Sequence, residues 1–154
     1  HYDRAEDYYR KCEEHYTAEG SPEGPVILLK RAYIELSKEN WLEAENLASR
    51  AIRDFQRLGH RRFVTAANLV LAAAAAGTDN WLELDRALAA GNLGGAAGLD
   101  DLWVLQIIGE LAQAKSKVKV AGKVLMAGRK LAVELRRADL VDKIDALLLA
   151  PHAR

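Results

Sequence analysis

Two asparagine–tryptophan pairs constrain this chain more than any other feature. Trp41 and Trp81 each follow an asparagine and open the strings NWLEAENLASRA and NWLELDRALAAG, 40 residues apart. Tyr2 opens HYDRAEDYYRKC 39 residues before Trp41, and Val118 opens VKVAGKVLMAG 37 residues after Trp81. Three residues into each string stands an apolar residue: Ala5, Ala44, Leu84 and Ala121. Seven further on comes a small one: Cys12, Ala51, Gly91 and Gly128. A period of this length marks a helical repeat, in which one unit cannot bury its apolar face alone and neighbours must stack. Small residues at these two points predict close helix approach, and the large leading residue predicts a plug in the turn between the two helices. Packing is the role this pattern assigns to all of them.

The expected fold class is all-α: antiparallel helical hairpins, about eight helices in one domain over residues 1–154. Alanine, the best helix former, occurs in runs such as Ala72 to Ala76. The strand formers Val, Ile, Thr and Tyr never alternate over a useful length. Apolar spacing and stop signals predict helices from about Tyr2 to Ala18, Val26 to Lys38, Trp41 to Leu58, Arg61 to Ala76 and Trp81 to Ala90. Three more follow, from about Asp101 to Lys115, Lys117 to Arg137 and Leu140 to Ala150. Gly20, Ser21, Pro22, Gly24 and Pro25 break the first from the second. Asn40, Thr78 or Asp79, and Asp100 are the expected N-caps, Ser116 is expected to open the seventh helix, and Gly59 is the expected stop of the third. Gly91 to Leu99, with four glycines, reads as a loop or a helix end followed by one. Short connections elsewhere make sequence neighbours antiparallel.

Charge narrows the functional classes. Twenty-two basic residues balance 22 acidic ones, so no basic field exists to capture nucleic acid. The weakly polar run Phe63 to Gly77 is shorter than the roughly 20 residues a membrane span needs. No signal peptide is seen, and a single cysteine, Cys12, suits a reducing compartment, so the expected location is the cytoplasm. His1, His15, His60 and His152 show no metal-ligand spacing. GNLGGAAG lacks the lysine of a phosphate loop, and no serine lies in a nucleophile elbow. The basic group Arg57, His60, Arg61 and Arg62 reads as a solvated helix turn. No cofactor, metal or catalytic residue is assigned, and an enzyme is not expected.

HYDRAEDYYRKC closely resembles the second helix of a tetratricopeptide repeat, and NWLEAENLASRAI is nearly as similar. Gly109 stands where that family favours a small residue for tight helix crossing. The resemblance covers nearly the whole chain, with a longer period than the family's 34 residues and without its closing proline. Such long repeats, with endings like FQRLGHRR, are similar to the degenerate arrays of bacterial signalling ATPases, transcription activators and eukaryotic-like protein kinases. The resemblance implies a right-handed superhelix whose concave face comes mainly from the first helix of each hairpin. It further implies that a chain opening within a second helix is a piece of a longer array.

On that basis the expected function is a protein-interaction scaffold, a regulatory or sensory segment of a larger signalling protein that binds a peptide or partner domain. Self-association is compatible with the same surfaces. The candidate contact residues implied by the resemblance are Tyr33, Asn68, Trp103, Gln106, Glu110 and Gln113. Aromatic rings supply contact area, and amides pair with peptide groups. The alternative is a small-molecule-sensing repeat domain of a transcription activator.

Overall fold

A computed structural model describes residues 2–19 and 23–150, the side chains of residues 2, 13 and 16–19 excepted. Gly20, Ser21, Pro22, His1, His152, Pro151 and the side chain of Tyr2 therefore lie outside the described residues. The fold is all-α. The described residues form eight helices: α1 (Tyr2–Glu19), α2 (Gly24–Ser37), α3 (Trp41–Leu58), α4 (Arg61–Gly77), α5 (Trp81–Gly91), α6 (Gly98–Ala114), α7 (Val118–Glu134) and α8 (Ala138–Leu149). A 3-10 turn, Leu93–Gly95, lies between α5 and α6. No described residue is in a strand. The chain forms two compact units, residues 1–91 and 92–154.

Five of the helix connections share one device, the Schellman ending. After α2, the Asn40 N–H donates to Glu35 C=O at 2.9 Å and the Glu39 N–H to Leu36 C=O at 3.0 Å. The same pair of bonds recurs around Gly59, Asp79, Ser116 and Arg136. Each of these residues takes the left-handed conformation, with φ between 56° and 74°. The residue that closes one helix in this way also begins the next: Ala44 N–H donates to Asn40 C=O and Leu84 N–H to Asn80 C=O. Repetition is thus built into the backbone of the turns as well as into the helix strings. Only Gly59 is a glycine, so the other four turns carry a left-handed strain of about 1 kcal/mol each.

This geometry corrects several expected boundaries. Asp79 is the left-handed residue and Thr78 ends α4, its hydroxyl donating to Ala74 C=O at 3.1 Å. The cap of α5 is Asn80, whose Oδ1 accepts the Glu83 N–H at 3.3 Å. Asn40 sits at the N-cap of α3 but does not cap it, because its side-chain amide donates to Glu35 Oε2 at 2.8 Å. Gly24 and Pro25 lie inside the first turn of α2, where proline's missing N–H costs nothing. Ser116 occupies the turn before α7. Asp100 lies inside α6, which starts at Gly98; Asp101 instead reaches back to accept the Ala97 N–H at 2.8 Å.

In the first unit α3 packs on α2 and α4, α4 on α3 and α5, and α1 on α2. Its core joins Leu28, Leu29 and Leu36 to Leu47, Phe55, Leu69 and Val70, all buried. Ala72 to Ala76 are buried in succession, so α4 is covered on most of its circumference and alanine allows that close cover. The Trp41 ring lies against the end of α4: a Cβ on Gly77 would collide with it. Val118, at the equivalent position of α7, is half exposed. In the second unit α7 packs on α6 and α8. Gly109 allows the α6–α7 crossing, since a Cβ there would collide with the Leu125 side chain. Ala44, Ala51, Leu84, Gly91, Ala121 and Gly128 are all buried, as the repeat pattern predicts.

Candidate functional site

The first-helix residues divide between the two units. In the first unit, Tyr33 is half-buried on α2, with Lys30 Nζ 5.8 Å from its ring centroid. Asn68 on α4 is buried, and its Nδ2 donates to Val64 C=O at 3.0 Å. Gly91 of α5 sits against it, so that a Cβ on Gly91 would lie 2.8 Å from Asn68 Cβ. Asn68 therefore serves a close helix contact, and its donor is occupied within its own helix.

In the second unit, Trp103, Gln106, Glu110 and Gln113 form one stripe along α6, at the spacing that places residues on a single helix face. Trp103 is half-buried and Glu110 is exposed. Gln113 is half-buried and donates through Nε2 to Leu147 C=O of α8, tying the terminal helix to α6. Gln106 differs from all of these. It is only 7% exposed, and among the described residues its Nε2 has no hydrogen-bond partner. An amide buried without a partner costs about 1–3 kcal/mol, so this donor is out of keeping with the satisfied groups around it.

The structure also draws together residues that the helix strings did not single out. Glu35 occupies the buried stripe of α2 with Leu28, Ala32 and Leu36, and is 7% exposed. A glutamate at the apolar spacing is the signal that could have found it. Lys38 Nζ lies 2.9 Å from Glu6 Oε1 of α1 and 3.7 Å from Glu35 Oε1. Burial pushes the Glu35 carboxyl above the usual range, and contact with Glu6 adds to this. The hydrogen bonds from Glu35 and Lys38 hold Glu6 below it. This cluster clasps α1 to α2. In the second unit Arg129 pairs with Asp145 at 2.7 Å, joining α7 to α8. Arg137 holds Asp139 in a two-bonded pair that pushes the carboxyl down to about 2.

One cavity, of about 160 Å³, lies wholly in the second unit. The 3-10 turn forms one wall with Leu93, Gly94 and Ala96, and α7 forms the other with Ala127, Lys130, Leu131 and Glu134. No group of three or more His, Cys, Asp or Glu among the described residues could hold a metal ion. No helix among them is long and apolar enough to cross a membrane. Comparison of the chain with protein-family models, curated proteins and solved structures finds no match.

Proposed function

We propose that this chain is a tetratricopeptide-like interaction scaffold, a binding rather than a catalytic part of a larger cytoplasmic signalling protein. In this reading its hairpins belong to a right-handed superhelical array, and a peptide or partner domain docks on first-helix surfaces. The observation that carries the proposal is the unpartnered amide of Gln106. It stands in one stripe with the half-buried Trp103 and the exposed Glu110. If docking turns the Gln106 side chain outward, its Nε2 gains a peptide carbonyl as the partner it lacks in the free chain, and the Trp103 ring supplies contact area.

The test is Gln106→Leu. Removing a buried donor that lacks a partner should raise the stability of the second unit by about 1 kcal/mol. The same change should weaken partner capture, because the docking bond is gone. Glu110→Lys, at an exposed position, should alter partner affinity with no change in melting. If a captured partner binds equally well to Gln106→Leu, Trp103→Ala and Glu110→Lys, the α6 stripe is not the docking surface. A second reading, small-molecule sensing, is favoured by the cavity beside α7.

A further inference from the structure

One wall of the cavity is irregular backbone. α3 and α7 run for 18 and 17 residues, whereas α5 stops after 11. In place of its last turns the chain passes through Asn92, left-handed at φ 54°, and the 3-10 turn Leu93–Gly95. A strained, glycine-rich replacement of regular helix is a local cost that sites of binding commonly carry. Here the segment walls one side of about 160 Å³ of space, with α7 on the other side. A cavity of about 150 Å³ is enough to take a group the size of benzene.

The lining has two parts of different chemistry. Leu93, Ala96, Ala127 and Leu131 make it apolar, and Lys130 and Glu134 bring one charge of each sign. Among the described residues neither charge has a hydrogen-bond or ion-pair partner. They stand one turn apart on α7, in the order lysine then glutamate, which is the less favourable order for pairing with each other. Two opposite charges left open beside an apolar surface suit a ligand that carries both charges at one end and a hydrocarbon at the other.

We propose that this cavity binds a small aliphatic α-amino acid. Lys130 receives the carboxylate, Glu134 receives the ammonium, and Leu93 and Leu131 cover the hydrocarbon side chain. The inference rests on the small-molecule reading and not on partner docking at α6, so each can fail without the other.

Calorimetric titration of the whole chain with L-leucine and L-valine tests it, with isovalerate and isopentylamine as probes that each lack one charge. Saturable binding of the amino acids is expected, with each single-charge probe weaker by about tenfold. Lys130→Ala and Glu134→Gln should each bring a similar loss. Ala127→Leu, which fills the space, should abolish binding while the thermal melt stays cooperative. Absence of saturable leucine binding at millimolar concentration overturns the proposal. So does leucine binding that survives Ala127→Leu, since the ligand would then sit elsewhere.

Discussion

α3 and α5 open with the same three residues, WLE, each preceded by an asparagine, and end differently. α3 continues for 18 residues to Leu58, while α5 stops after 11 at Gly91. The shared opening has the same outcome in both: Ala44 and Leu84 are buried, and so are the small residues Ala51 and Gly91. The halves that follow part company because of what they can bury. α3 carries Phe55, which is fully buried and stacks on Phe63 of α4 with ring centroids 5.0 Å apart. Forty residues later stands Gly95, exposed. Gly91, Gly94, Gly95 and Gly98 each cost about 1 kcal/mol relative to alanine in a helix. With no apolar anchor to offset that, regular helix gives way to a 3-10 turn. A repeat string therefore determines where a helix begins, and the side chains beyond it determine how far the helix runs.

The largest expected effect comes from removing the anchor. Phe55→Ala should cost about 3–5 kcal/mol, read as a lower midpoint in urea unfolding of the first unit. It should also lower amide protection across residues 52–58, making the end of α3 behave like the segment after α5. Loss of only a few tenths of a kcal/mol would show that something other than Phe55 holds α3 to its full length.

Gly77→Ala attacks the beginning of α3 instead. The new methyl meets the Trp41 ring, so the indole must leave its seat, at about 1–3 kcal/mol. Tryptophan fluorescence should shift toward that of an exposed ring. An unchanged spectrum with unchanged stability would remove the plug from the account of how α3 starts.

The turns that precede the two helices sharpen the comparison, because they are alike. Glu39 and Asp79 hold φ of 57° and 58°. Glu39→Gly and Asp79→Gly should each stabilise by up to about 1 kcal/mol, and by similar amounts, since glycine adopts this conformation without strain. Thermal melts of the two variants measure this, and unequal gains would mean that the turns differ in more than their backbone.

The smallest effect lies in pH. Asn40 gives its amide to Glu35, whereas at the second turn Ala75 replaces the glutamate and Asn80 caps its helix. The Glu35 carboxyl is raised by burial, so its contribution is present at low pH and is lost as pH rises through its folded value. Glu6, lowered by contact with Glu35 and Lys38, acts in the opposite sense and loses its contribution as pH falls through its own folded value. The α1–α2 clasp should be firmest between the two. Melting of the first unit should decline gently as pH rises through the raised Glu35 value, and Glu35→Gln should flatten that decline. A decline that survives the substitution would place its origin elsewhere.

Much of the local structure was legible from residue order. α3 has the bounds that the apolar spacing and Gly59 predicted. Gly109 stands at a tight crossing, as expected of a small residue there. Capping was less legible: of the expected caps, neither Thr78 nor Asp79 served α5, and Asp100 did not serve α6. α6 follows the extended Ala97 and no such turn; for α5 the reason is that the Schellman turn settles the cap position through backbone bonds. It places one residue in the left-handed region and passes the capping position to its successor, whatever the side chain.

The candidate site was legible only as a set of positions. Sequence alone determined that the chain is helical, where most helices begin and which small residues lie at close approach. Those features depend on the 3.6-residue period and on side-chain volume within one helix, both of which are local. The tertiary structure decided the fate of polar residues set in apolar stripes. Asn68 is closed over by Gly91, Glu35 is clasped with Glu6 and Lys38, and Gln106 is buried without a partner. Which neighbouring helix covers such a residue, and what it brings within hydrogen-bond reach, is a property of packing between helices distant in sequence. The repeat that opens at Trp41 and Trp81 states that helices will stack, and the stack itself determines which amide is left open.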